Sequence, residues 1–130
     1  MEFPIVTAYV AGLIGILQFA LMMAVGLARG PAGVSLGDGG NETLQRNIRR
    51  HGNLTENAPI FILLLGLLEL AGGNATYVLY LGALFVVARL AHALALSGVA
   101  DGVLRPVGAL GTLISGVGSA VLLLLAVQAM

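Results

Sequence analysis

Arg46-Asn47-Ile48-Arg49-Arg50-His51-Gly52-Asn53-Leu54-Thr55-Glu56-Asn57-Ala58-Pro59 runs straight into Ile60-Phe61-Ile62-Leu63-Leu64-Leu65-Gly66-Leu67-Leu68. A single helix carrying both halves brings three arginines, a histidine, asparagines and a glutamate down to the edge of a greasy segment. Ionisable groups at membrane depth are costly and are usually retained for function. The rest of the chain reads as a frame around that half-polar helix.

Composition supports the frame. Of 130 residues, 58% are hydrophobic and 9% are charged, with a mean hydropathy of +1.01. A soluble domain carries about 25% charged residues, so this chain lacks the polar groups to cover itself with a wetted surface. It reads as an integral membrane protein. The 19 glycines suit close helix approach in lipid. A net charge of zero gives no reason to expect a nucleic-acid partner. Without cysteine there is no disulfide, no thiolate metal site and no thiol nucleophile of the protein's own. No metal-ligand set is visible either.

Outward from the opening stretch, four spans emerge, at about 3–28, 44–70, 75–97 and 105–129, within one domain covering residues 1–130. Met1-Glu2-Phe3-Pro4 lacks the positive charge of a signal peptide, so the first apolar run reads as a retained span. Arg29-Gly30-Pro31 is expected to end it, ahead of a glycine-rich loop. Asn41 is a helix N-cap candidate, with Glu42 in the first turn. Residues 71–74 make a tight turn and residues 97–102 a second short loop. Pro106 is expected in the first turn of the fourth helix.

In an all-α, up-down-up-down four-helix bundle, the first and third loops share a side. All six arginines, at 29, 46, 49, 50, 89 and 105, then gather there, while Glu2 and Glu69 lie near the other side. The positive-inside rule makes the arginine side cytoplasmic and puts both termini across the membrane. Small residues recur at Gly111, Ser115 and Ser119, at Gly108, Thr112, Gly116 and Ala120, and at Ala8 and Gly12. Such stripes serve packing within a bundle or a seam between copies, and the pattern alone fits both.

Arg46, Arg49, Asn53, Glu56 and Ile60 follow one helical face, and Arg89, His92 and Leu96 share another. Glu56 and Arg89 have comparable depths and are expected to meet. Pro59 has no N–H, which frees the carbonyl of Thr55. One reading is a structural ion pair with the other arginines solvated at the headgroups. The other is a pocket for a small, multiply charged ligand, in which arginines fork onto carboxylates. The histidines at 51 and 92 read more readily as hydrogen-bonding partners than as bases.

Gly37-Asp38-Gly39-Gly40, Arg49-x-His51-Gly52-Asn53-x-x-Glu56-Asn57-x-Pro59, Ala88-Arg89-x-x-His92-Ala93, then Arg105 and Gly108 resemble the MAPEG proteins of eicosanoid and glutathione metabolism, bacterial-type members in particular. The resemblance implies a homotrimer in the bacterial inner membrane, with glutathione as co-substrate between protomers near the cytoplasmic face. It implies that Arg49, Asn53, Glu56, Arg89 and His92 bind glutathione and that Arg105 stabilises its thiolate. Arg29 would stand near the thiol or the second, lipophilic substrate. Two departures are Leu96, where well-studied members carry a tyrosine, and Pro106 after Arg105. The implied activity is a glutathione transferase or peroxidase acting on lipophilic electrophiles or hydroperoxides. The alternatives are a non-catalytic lipid-binding member and a small multidrug exporter; the latter would need an acid in the first span, which has none between Phe3 and Ala28.

Overall fold

The computed structural model describes residues 3–98 and 100–130. Four helices follow one another: α1 (Ile5–Ala32), α2 (Glu42–Leu70), α3 (Ala75–Leu96) and α4 (Asp101–Gln128). Each is long and apolar enough to cross a membrane. Glu2 and Val99, on which two expectations fell, lie outside the described residues.

Helix ends follow local chemistry, with two departures from expectation. Asn41 Oδ1 accepts the amide of Leu44 at 2.9 Å and starts α2. Asn74 does the same for Thr76 and Tyr77 at the head of α3. Arg29-Gly30-Pro31 does not end α1, which continues to Ala32. A proline in the last turn forfeits one backbone bond, that to the Leu27 carbonyl. The stop is set instead by Gly33 at φ 64°, where the amides of Gly33 and Val34 turn back onto Gly30 and Arg29. α4 begins at Asp101 rather than near 105, so Arg105 and Pro106 sit in its second turn. The carbonyl that Pro106 leaves unbonded belongs to Gly102, which is exposed and open to water or headgroups.

α1 and α4 occupy opposite corners of the bundle, each packed on α2 and α3 but not on each other. The α3–α4 contact is the most extensive, and its glycines explain why. A Cβ at Gly108 would lie 2.7 Å from the His92 Cβ and 2.8 Å from the Ala88 carbonyl; one at Gly111 would lie 2.7 Å from the Ala88 Cβ. Ser115 and Ser119 continue this seam fully buried. That stripe is therefore packing within the bundle. Gly116 and Gly12 have no atom within 4 Å of such a Cβ. In the core, Phe61 stacks on Phe85 with centroids 3.8 Å apart and planes 11° from parallel. Outward, Phe19, Met23, Leu27, Ile60 and Leu124 are exposed. That expanse of apolar surface is a liability in water and ordinary in lipid.

One joint was not foreseen. Pro4 precedes α1 and offers no side-chain cap. Glu69, in the last turn of α2, supplies one: its carboxylate accepts the amides of Val6 (2.9 Å) and Thr7 (2.8 Å) and the Thr7 hydroxyl (2.7 Å). A carboxylate at a helix N-terminus also complements the helix dipole. Glu69→Ala should leave these donors without a partner and cost about 2–4 kcal/mol. The check is thermal unfolding in detergent, with faster amide exchange at Val6 and Thr7; an unchanged melting temperature would show that the joint carries no stability.

Candidate functional site

On the arginine side, α2, α3 and α4 enclose an open groove of about 450 Å³. Asn53, Asn57, Arg89 and His92 line one end; Ile60, Leu64, Leu113 and Val117 line the other. The polar end is built around Arg89, which is only 3% exposed. Its guanidinium donates to Asn53 Oδ1 at 2.5 Å and to the Gly108 carbonyl at 3.3 Å. It lies 5.8 Å from the centre of the Phe85 ring, one turn back on α3, within cation–π range. Its Nε is buried without a partner. Among the described residues no carboxylate stands within ion-pair distance of it. A buried cation held only by neutral acceptors and a ring is an uncompensated charge, and it favours an anion arriving in the groove.

The expected meeting of Glu56 with Arg89 does not occur in the protomer. Asn53, one turn nearer the start of α2, takes Arg89. Glu56 pairs instead with Arg49, two turns away on the same helix, at 3.7 Å and with both side chains 58% exposed. The physical reason is desolvation. A neutral amide oxygen enters the buried position at less cost than a carboxylate, which stays on the wet rim. An exposed pair of this kind is worth about 0–1 kcal/mol.

The remaining candidates divide by corner. Arg105 is exposed on α4, one turn before the groove residue Ala109. His92 is half-buried in the polar end and packs against Gly108. Arg29 is not in the groove: its guanidinium donates to the carbonyls of Gly37 (3.0 Å) and Val34 (3.5 Å), bracing the loop that follows α1. Since α1 and α4 do not touch, one protomer does not bring Arg29 beside Arg105.

Several other polar side chains make structural contacts. His51 meets Gln18 Nε2 at 2.8 Å, and the same amide donates to Thr55 Oγ1 at 2.6 Å, joining α1 to α2. Arg50 donates to Asn47 at 3.1 Å. Asn57, which the sequence reading left without a role, lines the groove and donates to the Asn53 carbonyl at 2.7 Å. Its position one turn after Asn53 was the available signal. Among the described residues no group of three His, Asp or Glu side chains could hold a metal ion.

Four apolar helices around a buried guanidinium and a half-polar, half-apolar groove define an integral membrane helical bundle. The chain belongs to the MAPEG family, whose model matches residues 7–128. No curated protein matches it. Membership places it among membrane proteins of glutathione-related transferase, peroxidase or related function, and sets aside the small multidrug exporter.

Proposed function

We propose that this protein is a membrane glutathione-dependent transferase or peroxidase acting on lipophilic electrophiles or hydroperoxides. The observation that carries the reading is Arg89: a buried cation, without a carboxylate partner among the described residues, facing a groove wide enough for a small ligand. Glutathione has two carboxylates and an ammonium group. In this reading Arg89 and Arg49 receive the carboxylates, Asn53 and His92 hydrogen-bond the peptide, and Glu56 on the rim takes the ammonium.

The chain has no cysteine, so the reacting sulfur arrives with the ligand. A free thiol has a pKa of about 8.5 and is a few per cent ionised at neutral pH. Lowering that by ~2 units makes most of it thiolate, worth ~2.7 kcal/mol. Arg105, a turn above the polar end, is the residue assigned that task. The sulfur lone pair then forms the new C–S bond while the leaving group departs with the electrons of the bond that breaks.

The protein works as a homotrimer of single-domain protomers in this proposal, in a bacterial inner membrane with the arginine side cytoplasmic and both termini opposite. The exposed Arg49, Glu56 and Arg105 support it, as does Arg29 standing at the corner remote from α4. A neighbouring copy would bring its own Arg29 to the rim and narrow the groove.

Calorimetric titration of the purified protein is the test. Glutathione should bind saturably, and glycine or glutamate at the same concentration should give no comparable heat. A flat glutathione titration would remove the reading and favour a non-catalytic, lipid-binding role, for which Leu96 at the usual tyrosine position is the supporting residue.

A further inference from the structure

The wall that α2 gives to the groove does not stop at Asn53. Asn53, Asn57, Ile60 and Leu64 line the groove, and the same stripe, followed back toward the start of the helix, passes through Arg50 and Arg46. Steps of three and four residues keep all of them on one face. At ~1.5 Å per residue, Arg50 stands about 5 Å and Arg46 about 10 Å above Asn53. Two cations thus carry the groove outward from its polar end to the arginine-side rim.

The packing of the protomer does not account for the pair. Like charges one turn apart weaken a helix. Among the described residues Arg49 pairs with Glu56, while Arg46 and Arg50 pair with no carboxylate. Glu42, one turn before Arg46, is exposed and does not reach it. Arg46 leans over the end of α3, its Nη1 3.7 Å from where a Gly98 Cβ would lie, and a cation there suits the helix dipole. That explains one arginine. Arg50, a turn deeper and half-buried, spends Nη1 on Asn47 Oδ1 at 3.1 Å and keeps a buried Nε without a partner.

Glutathione with its thiol protonated carries two carboxylates and one ammonium, so it arrives as an anion. Successive cations on this stripe are closer together than the Debye length of about 8 Å at physiological salt. A ligand at Arg46 already feels Arg50, and one at Arg50 feels Arg89 below Asn53. Low-dielectric walls focus such a field. We propose that Arg46 and Arg50 form a capture ladder, drawing glutathione from the water on the arginine side and passing it down α2 to Arg89. They set how fast the ligand arrives, and Arg89 sets how firmly it stays. The inference rests on the glutathione reading above, and it makes both arginines guiding residues rather than catalytic ones.

Stopped-flow fluorescence with the bimane thioether of glutathione, whose fluorophore is uncharged, reads both rates without turnover. In phosphatidylcholine nanodiscs at low salt, the Arg46→Gln/Arg50→Gln double variant should associate about five- to tenfold more slowly than the wild type. Its dissociation rate should stay within about threefold, as for rim charges elsewhere, which also shows that the site is folded. High salt should slow the wild type and bring the two association rates to within about twofold of each other.

If the probe fails to bind the wild type, or free glutathione does not displace it, the glutathione reading is lost and this proposal with it. Should it bind while the double variant keeps the wild-type association rate and salt dependence, only the ladder is overturned. A variant that instead releases the probe faster would place these arginines in the grip, which also overturns it. So would a wild-type advantage present in phosphatidylcholine and gone in phosphatidylglycerol, since a lipid headgroup would then hold the two cations.

Discussion

Replacing Arg89 with methionine should weaken glutathione binding by at least about a hundredfold, or ~2.7 kcal/mol, while leaving the bundle folded. Two charge-assisted hydrogen bonds to a carboxylate, at about 1.5–3 kcal/mol each, account for a loss of that size. The folded state is expected to tolerate the change because Arg89 is 3% exposed and, among the described residues, has no carboxylate to be stranded. An unbranched apolar side chain of similar volume removes the cost of burying the cation. Of the two acceptors it abandons, the Gly108 carbonyl keeps the Thr112 hydroxyl and Asn53 Oδ1 faces the groove. Calorimetry gives the affinity and thermal unfolding in detergent gives the stability. Undiminished affinity in a folded Arg89→Met variant would move the anion site elsewhere.

Arg105→Leu should separate chemistry from binding in the opposite sense. Turnover of a lipophilic electrophile should fall about a hundredfold or more, the scale of removing one charge-stabilising donor. Glutathione affinity should stay within about tenfold, because Asn53, Arg89 and His92 remain in place. The ultraviolet thiolate band of the bound complex should vanish with the arginine. Because Arg105 is exposed in the second turn of α4 rather than buried, folding should be little affected. A variant that keeps full turnover would hand the thiolate role to another cation, and Arg29 is the next to replace.

Much of this was legible from residues alone, for reasons that differ by feature. Apolar runs, loop glycines and the one-sided arginines mark the four spans, because a bilayer punishes any other arrangement of such composition. The helical period put Asn53 on a shared face of α2 and Arg89 with His92 on α3, and these meet in the groove. What a period does not contain is the rotation of one helix about its axis relative to the next. That is why depth alone pairs Glu56 with Arg89, whereas the rotation of α2 gives the place to Asn53. The stripe at Gly108, Gly111, Ser115 and Ser119 had the same ambiguity, since small residues fit any close neighbour. The end of α1 was misjudged at Pro31 because a last-turn proline breaks one bond, whereas the left-handed Gly33 actually reverses the chain. Glu69 was invisible as a cap because its partners lie 62 and 63 positions away.

That last joint has a mechanical meaning. The hairpin of α1 and α2 is closed by covalent chain at residues 33–41 and by three hydrogen bonds at the opposite end. Two smooth apolar helices in lipid have little to stop one sliding along the other, and a slip of one residue is only ~1.5 Å. Glu69 acts as an index pin: such a slip pulls the carboxylate off all three donors at once. The pinned alignment is also the one that sets Gln18 opposite His51 and Thr55, and the Asn47 amide opposite the Ala24 carbonyl. The axial position of α2, and with it the height of Asn53 relative to Arg89, is therefore gauged from the far side of the membrane.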